Sequence, residues 1–235
     1  LILVGYSPVL FELLIQITKL KNVNLTLIED AVSKVKLIKA YNLELLKIMN
    51  SEKGKIFILN NLNDAKIYIG VSSSPKKRLE IFKNFKFKKV LYPTINQNTA
   101  KISSFAKLSN YGVYLGDYTT IEPNSKIDEF CFIQSHSHLG HDSCVGKFCI
   151  LGGNVTINGN CKIDSFCLIG SSVTVLNGKT IGTGSVIQAG TTISRDIPPF
   201  SFVSGNPFKI LPVEILGKDY SIPREIIKNK SDMLF

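Results

Sequence analysis

An aliphatic residue occupies every sixth position between Leu115 and Ile193 without a break. In order these are Leu115, Ile121, Ile127, Ile133, Leu139, Val145, Leu151, Ile157, Ile163, Ile169, Val175, Ile181, Ile187 and Ile193. A helix repeats its apolar face about every 3.6 residues and a half-buried strand about every 2, so neither produces a period of six. A repeating coil does. Four residues after most of these aliphatics comes a second, usually small residue: Thr119, Ser125, Cys131, Ser137, Ser143, Cys149, Val155, Cys161, Cys167, Val173, Ser185 and Thr191. Each hexad reads as a short strand and a corner. Three hexads close one triangular turn, and residues eighteen apart stack at about 4.8 Å.

The first part of the chain follows a different pattern. Leu1 to Gly5 predicts a strand, with Ser7 as N-cap, Pro8 at the first helical position and a helix over Val9 to Leu20. Asn24 to Ile28 and Lys66 to Val71 predict further strands. Ser74 to Phe85 predicts a basic helix capped by Ser74, and Lys88 to Tyr92 a closing strand. This is a small α/β domain. From Pro93 to Gly112 the approach to the coil is irregular, with Ile95, Ile102 and Leu108 out of register. After Ile193, Asp196-Ile197-Pro198-Pro199 breaks the repeat, and a Lys-rich tail follows from Lys218. The division is therefore a small α/β domain over residues 1–93, a coil over 94–212 and a tail over 213–235. The coil resembles the left-handed parallel β-helix, an exception to the right-handed crossover rule.

Alternation along the strands sends the small and aliphatic residues inward and the residue between them outward. Three outward columns result. The first is Tyr114, Phe132, Ile150, Leu168 and Val186; the second Thr120, His138, Thr156, Thr174 and Thr192; the third Lys126, Cys144, Lys162 and Thr180. The third also carries Asp128 and Asp164, as a solvated face should. An apolar stripe as long as the first should not face water. It is expected to meet another copy of the chain in a closed ring, the alternative cover being the N-terminal domain or the C-terminal tail.

Composition narrows the partners. A net charge of +10 and a pI near 9.3 imply acidic ones. The chain shows no nucleic-acid-binding signature, no Trp and no aromatic-basic interleaving, so nucleic acid is set aside. Four of the five cysteines fall on the small inward position, where packing explains them. The odd count and the lack of a C-x-x-C pair indicate a reducing compartment, the cytoplasm. The apolar start at Leu1 to Ile17 is interrupted by Pro8 and Glu12 and lacks a basic flank. It reads as strand plus helix rather than a leader or a membrane span.

All three histidines lie in Ser135-His136-Ser137-His138-Leu139-Gly140-His141-Asp142. Register puts His138 outward on a strand and His136 and His141 at corners. The column through His141 reads Pro123, His141, Gly159, Asn177, Arg195. Gly159 leaves room for a ligand above the imidazole and turns a backbone N–H toward it. Arg195 stands three coils higher, roughly 14 Å away, a span a pantetheine arm could bridge. This suggests acyl transfer from a thioester, with His141 as base, Asp142 holding its tautomer, Gly159 receiving the oxyanion and His138 touching substrate. The other readings are a merely polar corner, or a divalent metal on the three histidines; no further histidine exists to complete such a metal site, and none is assigned.

The segment His138-Leu139-Gly140-His141-Asp142 resembles the H-x-x-H-D stretch of the UDP-N-acetylglucosamine O-acyltransferases of lipid A synthesis. The whole layout is similar to the sialic acid O-acetyltransferase family, which includes N-acetyltransferases acting on UDP- or GDP-linked 4-amino sugars. The ending Arg195-Asp196-Ile197-Pro198-Pro199 and Gly205-Asn206-Pro207-Phe208-Lys209 is shared with many hexapeptide acetyltransferases. The resemblance implies a homotrimer with active sites between subunits, acetyl-CoA as donor, and His141, Asp142 and Gly159 in the roles above. Asn177, Arg195 and Lys209 become donor contacts. Gly5 and Ser7 in the first loop, Asp30 (with Glu29) after the second strand, and Gly70 after the third would meet the acceptor. Two departures stand out: Ile150 replaces a further histidine near the donor, and Ser7 and Pro8 replace loop glycines. The function expected is acetyl-CoA-dependent N-acetylation of a nucleotide-linked amino sugar in surface-glycan synthesis. The alternatives are O-acetylation of sialic acid or a related sugar, a longer acyl group from a carrier protein, and a non-catalytic trimeric scaffold.

Overall fold

The computed structural model describes residues 1–4, 25–28, 46–49, 66–85 and 91–217. Four short parallel strands, β1 (Ile2–Val4), β2 (Leu25–Ile28), β3 (Leu46–Met49) and β4 (Ile67–Ile69), form one sheet in the order β3-β2-β1-β4. β3 was not foreseen. The strand order reverses between β1 and β4, and in open α/β sheets ligands bind beyond the carboxyl ends at such a point. Helix α1 (Pro75–Phe85) follows, and the backbone N–H of Lys77 donates to Ser74 Oγ at 3.3 Å, the expected cap. The predicted helix at 9–20 and most of the strand at 88–92 lie outside the described residues.

The remainder is a left-handed parallel β-helix. Its strands are two residues long, from β5 (Ile95–Asn96) to β21 (Thr192–Ile193), and they stack into three sheets of parallel rungs. The register is the predicted one: Phe132 pairs with Ile150, His138 with Thr156 and Cys144 with Lys162, each eighteen residues on. All fourteen aliphatics and all twelve small residues named above are at most 2% exposed. Several of the inward hydroxyls and thiols bond to the next coil. Ser143 Oγ, for example, donates to Asn158 O at 2.8 Å and accepts from the Cys161 N–H at 2.9 Å. The Cys131 and Cys149 thiols each donate to a carbonyl at 3.0 Å, and burial holds the Cys149 thiol well above its ordinary pKa. These are packing residues.

Three expectations need correction. The stretch from Ile95 to Leu108 is not out of register with the coil. Ile102 pairs with Ile121 and Leu108 with Ile127, nineteen residues on. One extra residue before Val113 displaces the numbering, and the first coil is otherwise regular. At the other end Asp196 to Pro199 shortens the coil by two residues without ending it. Val186 pairs with Phe202 in β22 (Ser201–Ser204), which then turns back antiparallel into β23 (Lys209–Pro212).

The third correction concerns the apolar face. Tyr114, Phe132 and Ile150 are no more than 2% exposed within a single chain, so this part of the stripe is not open to another copy. The α/β unit supplies cover: Tyr68 and Ile69 border Tyr114, and the Arg78 guanidinium lies 5.3 Å from the Phe132 ring centroid. Arg78 is itself buried. Its Nη1 donates to the Ile69 and Val71 carbonyls at 2.9 and 2.8 Å and its Nε to the Phe130 carbonyl at 3.1 Å. Burial lowers its pKa only to about 10, so the side chain stays cationic at neutral pH and ties the end of β4 to the solenoid.

Candidate active site

From Gly112 to Gly190 each corner of the solenoid turns through one residue in the left-handed region. At the corner between the second and third faces these are Asn124, Asp142, Asn160 and Gly178, with φ of 60°, 58°, 57° and 71°. Asn and Asp tolerate this conformation better than most side chains, which explains why a carboxylate can follow His141 directly. The turn is pinned by the Asp142 N–H donating to the Pro123 carbonyl at 3.1 Å. Glycine is required one step earlier: a Cβ on Gly140 would lie 2.6 Å from the Gly159 nitrogen. The coils therefore pack in contact at the point where the imidazole emerges.

His141 Nδ1 lies 2.8 Å from Asp142 Oδ2, and Asn124 Nδ2 donates to the other carboxylate oxygen at 3.2 Å. These hydrogen bonds, that from His141 first, hold the Asp142 carboxyl below its usual pKa. An ionised carboxylate on Nδ1 selects the tautomer with the proton there, leaving Nε2 as the basic nitrogen. That nitrogen faces the next coil. A Cβ built on Gly159 would sit 2.5 Å from Nε2, so the absence of a side chain at Gly159 accommodates the imidazole itself. This corrects the expectation that the gap serves a ligand. The Gly159 N–H has no hydrogen-bond partner among the described residues. One coil below, the equivalent N–H, that of His141, donates to a Glu122 carboxylate oxygen at 2.9 Å. An amide in this position can therefore hold an anionic oxygen.

Glu122 was missed in the sequence. Its Oε2 accepts from the His141 backbone and its Oε1 lies 3.0 Å from His138 Nε2. The hydrogen bond with His138, then that from the His141 N–H, lowers its pKa. The register contained the signal, because Glu122 lies eighteen residues before Gly140, between the two imidazoles. His136 stands apart at another corner, stacked on Tyr118 with ring centroids 5.0 Å apart.

The other predicted residues are dispersed. Asn177 and Arg195 stand above Gly159 in the same column, as the pairing of Thr174 with Thr192 requires. Both are exposed, and the Arg195 guanidinium lies 4.8 Å from the Phe208 ring centroid. Lys209 opens β23 and is exposed. Gly70 is buried directly after β4, at the strand-order reversal. Gly5, Ser7 and Asp30 lie outside the described residues. An open cleft of about 360 Å³ reaches Asp142 along the third face, lined by Phe105, Lys107, Asn124, Lys126, Ser143 and Cys144. Lys107 and Lys126 are cross-strand neighbours on its wall. Among the described residues no group of three or more His, Cys, Asp or Glu is placed to hold a metal ion, and no helix is long and apolar enough to cross a membrane.

No family model matches the sequence. The provisionally named acetyltransferase YvoF of Bacillus subtilis strain 168 is 30% identical over 122 residues, 52% of this chain and 63% of YvoF. The similarly named SAR2635 of Staphylococcus aureus strain MRSA252 is 41% identical over 56 residues, 24% of this chain and 26% of that protein. The matches thus span between about a quarter and under two thirds of these relatives. Among solved structures, perosamine N-acetyltransferase from Caulobacter crescentus, in complex with CoA and GDP-perosamine, superposes with a TM-score of 0.74 at 16% identity. The match covers 89% of this chain and 95% of that one. The acetyltransferase domain of PglB from Neisseria gonorrhoeae FA1090, in complex with acetyl coenzyme A, gives 0.74 at 19% identity, covering 89% and 98%. At these identities the likeness is one of fold, and it extends through the α/β unit as well as the solenoid.

Proposed function

We propose that the chain is an acetyl-CoA-dependent acetyltransferase acting on the amino group of a nucleotide-linked sugar. The observation that carries this is the His141–Asp142 pair, with Nε2 as the free nitrogen, set against the unpartnered Gly159 amide. A base and an oxyanion donor on one spot are what thioester aminolysis requires. The acceptor nitrogen attacks the thioester carbonyl and the carbonyl oxygen draws on the Gly159 N–H. As the C–N bond forms and the C–S bond breaks, His141 Nε2 takes the proton from the nitrogen and returns it to the departing thiolate. Asp142 stabilises the imidazolium in between.

Binding of the two substrates fits the same geometry. Asn177 and Arg195 lie on the C-terminal side of His141, where the donor's pantetheine and phosphates would run. The cleft at Asp142 offers Lys107 and Lys126 to the phosphates of the acceptor nucleotide. Gly70, at the strand-order reversal, would take part in holding that nucleotide, together with Gly5, Ser7 and Asp30. That solved structures of the same fold contain CoA, and one of them also GDP-perosamine, supports the reading. A cytoplasmic homotrimer remains part of the proposal, with its subunits meeting on a face other than the covered apolar one.

Calorimetric titration with acetyl-CoA, followed by a thiol-release assay on UDP- and GDP-linked 4-amino sugars and on sialic acid, tests this. Binding with turnover on an amino sugar is the expected result. Turnover on sialic acid alone would replace N- by O-acetylation. Absence of acetyl-CoA binding would overturn the proposal.

A further inference from the structure

Glu122 and His138 form a second carboxylate–imidazole pair beside the first, and the two pairs use opposite ring nitrogens. Asp142 meets His141 at Nδ1; Glu122 meets His138 at Nε2, 3.0 Å away. Glu122 cannot easily turn from this task, because its other oxygen is held by the His141 N–H and its backbone leads into Pro123. His138 stands on its strand between Thr120 below and Thr156 above. Its side chain is 35% exposed, and Nδ1 has no partner among the described residues. A polar atom left open three residues from the base has to be matched by solvent or by substrate.

We infer that Glu122 is a positioning residue that fixes His138 with its proton on Nε2, so that Nδ1 accepts a hydrogen bond from a hydroxyl lying close to the acceptor's nucleophile. The lowered pKa of Glu122 supports an ionised partner for Nε2. The acceptor class is then an amine, or alcohol, that carries a neighbouring hydroxyl, and simple amines are rejected. The substrate half of this inference rests on the acetyl-transfer reading. The tautomer half does not. A carboxylate that merely braced the corner would stabilise the fold without selecting acceptors by a hydroxyl group.

Nitrogen-15 NMR of the imidazoles in the full chain reads the tautomers directly, with signals assigned through His136→Gln and His138→Gln. The expected result is Nδ1–H at His141 and Nε2–H at His138, the latter preference disappearing in Glu122→Gln while His141 keeps its own. An Nδ1–H tautomer at His138, or one indifferent to Glu122→Gln, would overturn the assignment. Acetylation of an amino sugar is then compared with that of its analogue lacking the neighbouring hydroxyl. The native chain should prefer the parent sugar by about tenfold or more in kcat/KM, largely through KM, and Glu122→Gln should lose most of that preference. Equal preference in both proteins would overturn the substrate half. If the tautomers are as expected and no sugar is acetylated, acetyl transfer is the reading that fails, and the role of Glu122 toward His138 stands.

Discussion

Two corners of the solenoid have the same backbone and opposite uses. At one, the left-handed position is filled by Asn124, Asp142 and Asn160; at the other by Phe130, Phe148 and Phe166, with φ of 59°, 57° and 64°. The phenylalanines stack with centroids 4.9 and 5.4 Å apart, are at most 2% exposed, and receive Phe82 of α1 at 4.7 Å from Phe130. The polar corner stays exposed and gathers His138, His141, Glu122 and Asp142. A left-handed φ disfavours phenylalanine by about 1–2 kcal/mol per residue, so each ring must recover that through burial. Asn and Asp incur less strain and can stay in water. The coil thus provides one scaffold, and the side chain at its left-handed position decides whether a corner docks a domain or presents chemistry.

The comparison can be broken most severely at the polar corner. His141→Ala should lower kcat by about 100-fold or more while leaving the far-ultraviolet dichroism and melting temperature near native. Near-native turnover would remove His141 from the mechanism. At the aromatic corner Phe148→Ala should cost about 3–5 kcal/mol in denaturant unfolding, whereas Asp142→Ala, at the equivalent backbone position, should leave the unfolding midpoint close to native. Equal losses would show that the backbone, not the side chain, distinguishes the corners.

Gly159→Ala separates fit from fold. Its Cβ would fall 2.5 Å from Nε2 and must displace the exposed imidazole, so kcat should drop by about tenfold at little cost in stability. A native rate would mean that the ring reacts from another rotamer. The smallest effect is in acid. Glu122 and Asp142 have carboxyl pKa values below the ordinary range, so their stabilising contribution is complete above that range and is lost as pH falls through the lowered values. Melting temperature should therefore fall less steeply with acidification in Glu122→Gln than in the native chain. Parallel curves would show that the Glu122 contacts do not stabilise the fold.

Much of the solenoid was legible because its information is local. Fourteen aliphatics at one spacing admit one stacking, and the same arithmetic put His138 outward and His141 under Gly159. It would equally have put Glu122 between them, had the column through Gly140 been followed downward. The aromatic ladder was also in view, since Phe130, Phe148 and Phe166 are eighteen residues apart. The first coil was obscured by a single inserted residue, which moves every outward position by one while the hydrogen-bonded ladder continues unbroken.

Periodicity therefore sufficed for the coil, its inward columns and the corner on which the histidines sit, because stacked rungs about 4.8 Å apart leave no freedom in which residue lies over which. It could not say what covers the outside. That Arg78 would leave the surface of a basic helix and bind three carbonyls, and that Tyr114 and Phe132 would be sealed within one chain, depends on how the α/β unit docks. Which ring nitrogen each carboxylate reaches is of the same kind. Rotamers and docking angles are selected by burial and by pairing between distant segments, and those terms exist only once the chain has folded.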